Sequence, residues 1–367
     1  LRKFFSDRGQ IARATGWVLL VGAVAGTVLL GLTSSPYAIE RPGPVYNVLG
    51  STPVDGKSVP LIAVSGEKTY PTSGKLDMLT VYVDGSPQTK LSWIEVAGSW
   101  FDKSRAAVPL DEIFPTGQTD KQANQQSTQE MSSSQQSAQA AALTLLGIDY
   151  TTKSTVTVAQ VVRGAPADGA LKAGDVLLTV DGKKVTSLTA LQQAIIANGT
   201  SHAVTFEVTR SGAAQTVKVT PTKSADTGKP AIGIYTGGTT DFTFPFQVKI
   251  QLQDVGGPSA GMMLALGIYD KLTPGELVNG KHIAGTGTID PDGAVGAIGG
   301  IRQKLYGARD DGATWFLAPQ SNCNEVVGHI PSGIRVVAVS TLAQSVTAVK
   351  TIAAGGDTSK LASCSSK

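Results

Sequence analysis

The sequence predicts an α/β protein: a mixed sheet with helices, interrupted by a small, mainly β insert and preceded by one membrane-spanning helix. Three observations carry this expectation. The run from Gly16 to Leu32, GWVLLVGAVAGTVLLGL, holds no charge. Two separate segments pass from Gly-Gly turns, at Gly256-Gly257 and Gly299-Gly300, into helix-forming sequence. Between the early strands and these turns, residues 145–227 form a compact stretch of short strand and turn signals. A chain of 367 residues holds two domains of ordinary size plus tails.

Before the apolar run, Arg2, Lys3, Arg8 and Arg13 stand against Asp7. Residues 16–33, at about 1.5 Å each, nearly cross a hydrocarbon core of about 30 Å. The positive-inside bias keeps residues 1–15 as a cytoplasmic tail and sends the remainder outside. A cleaved signal peptide is the competing reading. Pro36 and Tyr37 crowd Ala38 and make a poor small-x-small cleavage site, which favours an uncleaved anchor. Because the chain starts at Leu1 rather than Met, the tail is expected to be longer than shown.

The hydrophobic share of 41% is raised by that run, so the rest reads as globular and soluble. A formal net charge of +3, with no basic run beyond the N-terminus, gives no footprint for nucleic acid. Cys323 and Cys364 both fall on the external side, where disulfides persist. Pairing would pin the C-terminal tail, residues 356–367; two free thiols are the alternative. These cysteines and His202, His282 and His329 show no zinc-ligand spacing, so no metal or other cofactor is expected.

Glu40–Leu49 is Pro- and Gly-punctuated and should be extended. Strand signals follow at Pro60–Val64, Leu79–Val83 and Lys90–Val96. Residues 34–115 are assigned to the same domain as residues 228–355, since the latter alone would leave these strands without partners. Residues 116–144 are rich in Gln, Ser and Thr; they read as loop at the start and helix from about Ser127, with a flexible linker as the alternative. Gly50-Ser51-Thr52-Pro53-Val54-Asp55-Gly56-Lys57-Ser58 imitates a phosphate loop but has five residues between the glycines where four are required, so no ATP site is expected.

Within residues 145–227, Gly164-Ala165-Pro166-Ala167, Leu171, Ala173-Gly174-Asp175, Val180-Asp181-Gly182 and a helix at Leu188–Ile196 resemble a PDZ domain of the bacterial protease kind. The glycines supply turns, and Leu188, Leu191 and Ile195 give the helix one apolar face. The resemblance implies a small β-sandwich or barrel with helices that binds an extended peptide, often a C-terminus. Leu146-Gly147-Ile148 is the candidate loop for the peptide carboxylate.

Ser259 lies where the chain leaves a Gly-Gly-Pro turn and opens an apolar helix, so its hydroxyl sits beside free backbone N–H groups and the positive end of a helix dipole. By itself this is equally a helix cap. A second Gly-Gly turn, at Gly299-Gly300, starts a helix that carries Lys304. A neutral lysine amine is a base able to activate a serine hydroxyl, and Ile298, Ile301 and Leu305 suit the apolar setting that keeps it neutral. Together, Gly257-Pro258-Ser259-Ala260-Gly261 and Ile298-Gly299-Gly300-Ile301-Arg302-Gln303-Lys304 resemble the two motifs of the Lon proteolytic domain. Membrane-anchored, PDZ-containing Lon-like proteins are similar over nearly the whole length.

The resemblance implies an α/β Lon-type proteolytic domain with an inserted PDZ domain. It further implies a serine endopeptidase in which Ser259 is the nucleophile and Lys304 the base, with Thr286, Gly257 and Ala260 as catalytic support. Thr286-Gly287 aligns with the family's T-G-E, and Thr286 would orient the lysine. Implied partners are protein or peptide substrates, a PDZ peptide ligand and further copies of the chain in a ring, with a hexamer as the expected size. Implied location is a bacterial cell membrane, single-pass, with the later domains extracytoplasmic. The rival reading is a catalytically silent PDZ scaffold at the membrane. Two positions depart from the family: the acid before G-P-S is Gly256 and the glutamate of T-G-E is Thr288, with Asp254 the nearby acid expected to substitute.

Overall fold

The computed structural model describes residues 2–364 except 55, 116, 225–226 and 254. They form two compact units, Leu1–Asp149 with Phe246–Lys367, and Tyr150–Pro245. In chain order the main elements of the first unit begin with α1 (Arg2–Leu32), β1 (Tyr37–Asn47), β2 (Lys75–Asp84), α2 (Trp93–Ser99), β3 (Ala106–Pro109) and α3 (Asp120–Leu146). The second unit holds β4 (Thr151–Val161), β5 (Val176–Val180), α4 (Leu188–Asn198), β6 (Val204–Arg210), β7 (Ala213–Val219) and β8 (Ile234–Thr243). The chain then returns to the first unit with α5 (Gly261–Leu272), β9 (His282–Gly285), α6 (Ile301–Asp310), β10 (Trp315–Pro319), β11 (Arg335–Val339) and α7 (Leu342–Ala353).

Within α1, Thr15–Leu32 is long and apolar enough to cross a membrane, and no part of it is buried. A signal sequence passes the same test. The rest of the first unit is built on a six-stranded sheet in the order β11-β10-β9-β2-β1-β3. Strands β2, β9, β10 and β11 run parallel to one another, while β1 is antiparallel to both β2 and β3. Pro42 and Pro44 lack the N–H a ladder needs. The β1 register accordingly shifts between Pro42 and Val45, and Thr80 Oγ1 donates to Pro44 O at 2.8 Å.

Alternation along the central strands creates two cores. Ile283 and Leu317 pack with Met262 and Leu266 of α5, Ala138 and Ala142 of α3, and Val346 and Val349 of α7. Ala284 and Phe316 pack instead with Ile301, Leu305 and Ala308 of α6. Helices α5 and α6 therefore lie on opposite faces of the sheet. Cys323 and Cys364 form a disulfide, and Ala338 N donates to Ala362 O at 2.8 Å. The segment read as a C-terminal tail is thus tied along the outer side of β11.

Three expectations are corrected. Lys90–Val96 is not a strand: Ser92 and Glu95 form a capping box, with Ser92 N donating to Glu95 Oε2 at 2.7 Å, and this starts α2. The helix expected from about Ser127 begins at Asp120, because Thr119 and Gln122 make a second capping box. The boundary placed near residue 227 lies at Pro245. Strand β8 pairs with β4 along its whole length, from Ile234 opposite Val161 to Thr243 opposite Thr151, and Phe242, Phe244 and Tyr150 cluster at that end. Beyond Pro245 a separate strand, Gln247–Ile250, pairs with Ile62–Ser65 in the first unit. The imitation phosphate loop folds as a hairpin of Ser51–Val54 against Lys57–Pro60, with Asp55 outside the described residues.

The second unit is an antiparallel sheet, β7-β6-β5-β4-β8, covered by α4. Phe206 is fully buried there among Leu177, Val180, Leu191 and Val219. Replacing it with Ala removes the largest side chain of this core. Phe206→Ala is expected to destabilise the unit by about 3–5 kcal/mol, read as an earlier unfolding transition in chemical denaturation followed by hydrogen exchange at β5 and β6.

Candidate active site

The N-termini of α5 and α6 meet beyond the carboxyl end of β9, although the two helices cover opposite faces. Ala260 is the N-cap of α5 and makes no side-chain cap; Ser259 precedes it. Gly300 is the N-cap of α6, with φ of 66°, a conformation only glycine adopts without strain. Lys304 lies one turn into α6 and its chain is 3% exposed. Its Nζ stands 2.8 Å from Ser259 Oγ and 3.1 Å from Thr286 Oγ1. The bland reading of Ser259 as a helix cap fails, since its hydroxyl is engaged by the lysine rather than by the helix.

Thr286 directly follows β9 and is 1% exposed. Its hydroxyl donates to Ser259 O at 3.0 Å while accepting from Lys304. Gly287 N donates to Ser259 O at 2.9 Å, and Met262 N donates to Gly287 O at 3.0 Å. One threonine and one backbone bridge thereby fix serine and lysine relative to each other. Burial pulls the Lys304 amine down from 10.5 to about 7, against an opposing pull from Glu40. Ile301 and Leu305, both fully buried, flank it on α6.

The loop that bears Ser259 is held from the other side by α3. Gly257 N donates to Ser127 O at 2.9 Å, and Ser134 Oγ donates to Pro258 O at 2.9 Å. Gly257 therefore supports the loop, and its own N–H is spent on Ser127 O. Pro258 has no N–H. Among the described residues the N–H groups of Ser259 and Ala260 have no acceptor, which leaves them as donors at this helix terminus.

The departure at Gly256 now has a cause: a Cβ there would stand 2.0 Å from Ser127 Oγ. A side chain there would force Ser127 of α3 or the loop itself to shift. Thr288 likewise sits on a two-residue strand opposite Gly296, where a Cβ on the glycine would be 2.3 Å from its hydroxyl. Asp254 lies outside the described residues. The acid that reaches the dyad's surroundings comes from β1. Glu40 lines the same cleft of about 820 Å³ as Ser259 and Lys304, together with Tyr46, Val81 and Glu130. Sequence reading missed Glu40, because 219 positions separate it from Ser259 and no motif surrounds it.

Residues 253–354 match the family described as Lon protease (S16) C-terminal proteolytic domain, and residues 141–220 match the PDZ domain family. The chain carries a Lon-type proteolytic domain. It is a domain of the serine-peptidase class, and the strands β1, β2 and β3 join its sheet from outside the matched segment. Similar proteins include Lon protease 2 of Bacillus subtilis (strain 168), 34% identical over 87 residues that cover 24% of this chain and 15% of that protein. The Lon protease of Clostridium beijerinckii is 39% identical over 89 residues, covering 23% of this chain and 11% of that protein. This chain therefore spans only a small part of the length of these relatives. A PDZ domain of an SdrC-like protein from Listeria monocytogenes is similar at 25% identity, covering 22% of this chain and 85% of that one, with a TM-score of 0.21.

Leu146-Gly147-Ile148, the candidate carboxylate loop, falls within the residues matched to the PDZ family and, by packing, at the end of the first compact unit. Gly147 caps α3 with φ of 69°, and its N–H and that of Ile148 donate to Thr144 O and Leu143 O at 3.1 and 2.9 Å. Those groups are spent on the helix end. The PDZ unit instead has a groove of about 390 Å³ between α4 and the start of β8, lined by Leu188, Leu191, Ile195, Ile232 and Ile234. Strand β8 pairs only with β4, so among the described residues its outer edge is open for strand addition. The signal available in the sequence was Ala231-Ile232-Gly233-Ile234, with Gly233 at φ of 73°.

Asp77, His282 and Asp311 bring three metal-type ligand atoms within 4.8 Å of one another. Lys75 Nζ lies 3.3 Å from Asp311 Oδ2 and His282 bonds Asp77, so these ligand atoms already have protein partners and the cluster reads as a polar network.

Two outcomes follow from this geometry. Serine-reactive probe labelling of Ser259 should rise through pH about 7, as Lys304 loses its proton, and level off above it; a flat rate from pH 5 to 9 would contradict the assignment. Gly256→Ala should slow labelling by about 100-fold through misplacement of the loop, and the added change Ser127→Gly should restore part of the loss by opening room for the Cβ.

Proposed function

We propose that this chain is a membrane-anchored, extracytoplasmic serine endopeptidase that needs no ATP and cleaves peptide bonds with a Ser259–Lys304 dyad. The observation that carries the reading is the 2.8 Å contact between Ser259 Oγ and the buried Lys304 amine. In the ammonium form Lys304 donates to the serine; in the amine form the direction reverses and the hydroxyl donates to the nitrogen. Thr286 Oγ1 accepts a second lysine N–H and leaves the lone pair for Ser259.

In the reaction, Lys304 takes the hydroxyl proton as Ser259 Oγ bonds to the scissile carbonyl carbon. The developing oxyanion is met by the N–H groups of Ser259 and Ala260 and by the positive end of α5. Lys304 then gives its proton to the leaving amine, the C–N bond breaks, and an acyl-enzyme remains. Water, deprotonated by the same amine, attacks the ester and returns Ser259.

The anchor is α1, whose apolar surface from Thr15 to Leu32 carries no protein cover. The Cys323–Cys364 disulfide suits an oxidising compartment beyond that membrane. A hairpin in place of a phosphate loop supports a peptidase without nucleotide chemistry. The PDZ unit binds substrate or regulatory peptide ends in the α4–β8 groove, and the Lon-type units assemble as a homo-oligomeric ring, as the family resemblance implies. A peptidase that needs no ATP takes flexible segments or small proteins as its substrates.

Casein or peptide turnover by the full chain should fall by about 10⁴-fold or more in Ser259→Ala and Lys304→Ala, and by a smaller factor in Thr286→Val. Equal turnover by all variants would sink the peptidase. Peptide binding without turnover or Ser259 labelling in the wild type would establish the silent scaffold instead.

A further inference from the structure

The cleft around the dyad has an uneven charge. Glu40 and Glu130 line it, and among its described residues Lys304 is the one cation. That cation is buried and engaged with Ser259 and Thr286. Glu130 accepts from Gln126 Nε2 at 2.8 Å. Glu40 is half-buried on β1, and among the described residues its carboxylate makes no hydrogen bond and no ion pair. Its neighbour in sequence, Arg41, faces away and pairs with Asp84 at 2.7 Å.

The place of the carboxylate is well defined. A Cβ on Gly300 would stand 2.8 Å from Val81 Cγ2 and 3.5 Å from Glu40 Oε2. Glu40, Val81 and the turn that starts α6 thus share one corner of the cleft, one helical turn from Lys304. Leu79 and Tyr46 continue the apolar lining. An apolar wall ending in an unpaired anion matches a long aliphatic side chain that ends in a cation.

We propose that Glu40 is a specificity-determining residue, which receives a lysine or arginine side chain of the substrate beside the scissile bond. The inference rests on the peptidase reading and names the substrate feature that this cleft selects. Glu40 gains a direct ion-pair partner, and the substrate cation loses less on leaving water than it would against an uncharged wall. Burial pushes the Glu40 carboxyl up from its ordinary range; Lys304 opposes this and Glu325 adds to it. A bound cation would hold it ionised. Glutamate rather than aspartate suits the role, since its longer chain reaches past the strand to the foot of α6.

The test uses the full chain in nanodiscs with Ser259→Ala, so that peptides bind without being cleaved. Fluorescent peptides differing only in a central Lys, Arg, norleucine or Glu are titrated by anisotropy. Lys and Arg peptides should bind about 10- to 100-fold tighter than norleucine. Adding Glu40→Gln, a change of nearly equal shape, should erase that preference and leave norleucine binding as it was. Glu40→Lys should turn the preference toward the Glu peptide. Equal binding of all four peptides, or a Lys preference that survives Glu40→Gln, would overturn the proposal. So would a result in which Glu40→Gln with intact Ser259 slows every peptide equally and moves the acid limb of the pH profile, because Glu40 would then act through Lys304 alone. Absence of Ser259 labelling in the wild type defeats the peptidase reading separately, while the binding arm still reports on Glu40.

Discussion

Everything at this site depends on keeping one lysine amine out of water. An exposed lysine near its ordinary value of 10.5 is almost wholly protonated at neutral pH, and an ammonium is no base. Moving Lys304 to about 7 disfavours its charged form by on the order of 5 kcal/mol relative to water. Burial supplies this, and burial is a property of the whole sheet. Ile301 and Leu305 hold α6 against Ala284 and Phe316, which seats Lys304 with its Nζ pointing past the strand end. Serine comes from the opposite face on α5. The two helices could not meet through the sheet, so they meet where β9 stops, and Thr286 is the residue at which it stops.

The same constraint explains why the nucleophile loop has so little freedom. A base with a pKa near 7 helps only a hydroxyl within hydrogen-bond reach, so the loop must be held to a fraction of an ångström. Ser127 and Ser134 of α3 take hold of Gly257 and Pro258, while Gly287 and Thr286 take hold of Ser259 O. The close approach of α3 is what Gly256 permits. A side chain at that position and α3 packed as it is here compete for the same space, and in this chain the helix holds it.

What the sequence disclosed follows from the range of the physics involved. Ser259, Thr286 and Lys304 were legible because each sits in a short motif whose glycines and helix starts are local. The Ser92 and Thr119 capping boxes are equally local, S-x-x-E and T-x-x-Q, and were passed over because β-branched residues and a polar composition drew the reading elsewhere. Glu40 and the β8–β4 pairing were not legible from local pattern: each depends on strands brought together across long stretches of chain. Leu146-Gly147-Ile148 is ambiguous for a related reason. A glycine between two apolar residues looks alike in a carboxylate loop and in a helix C-cap, and only the acceptors of its N–H groups tell the two apart.

Both covalent connections to the PDZ unit start from parts of the Lon-type unit that bear on the nucleophile. On one side, α3 carries Ser127 and Ser134 and ends at Gly147, two residues before that unit gives way at Asp149. On the other, the strand Gln247–Ile250 pairs with Ile62–Ser65 and leads into the loop that ends at Ser259. An insertion tolerated elsewhere on the surface would leave these segments alone. Here it interrupts the chain between the helix that clamps the loop and the loop itself. The clamp must therefore form by packing across the break rather than by short-range folding, which is why α3 spends Met131, Ala138, Ala141 and Ala142 on the core beside α5.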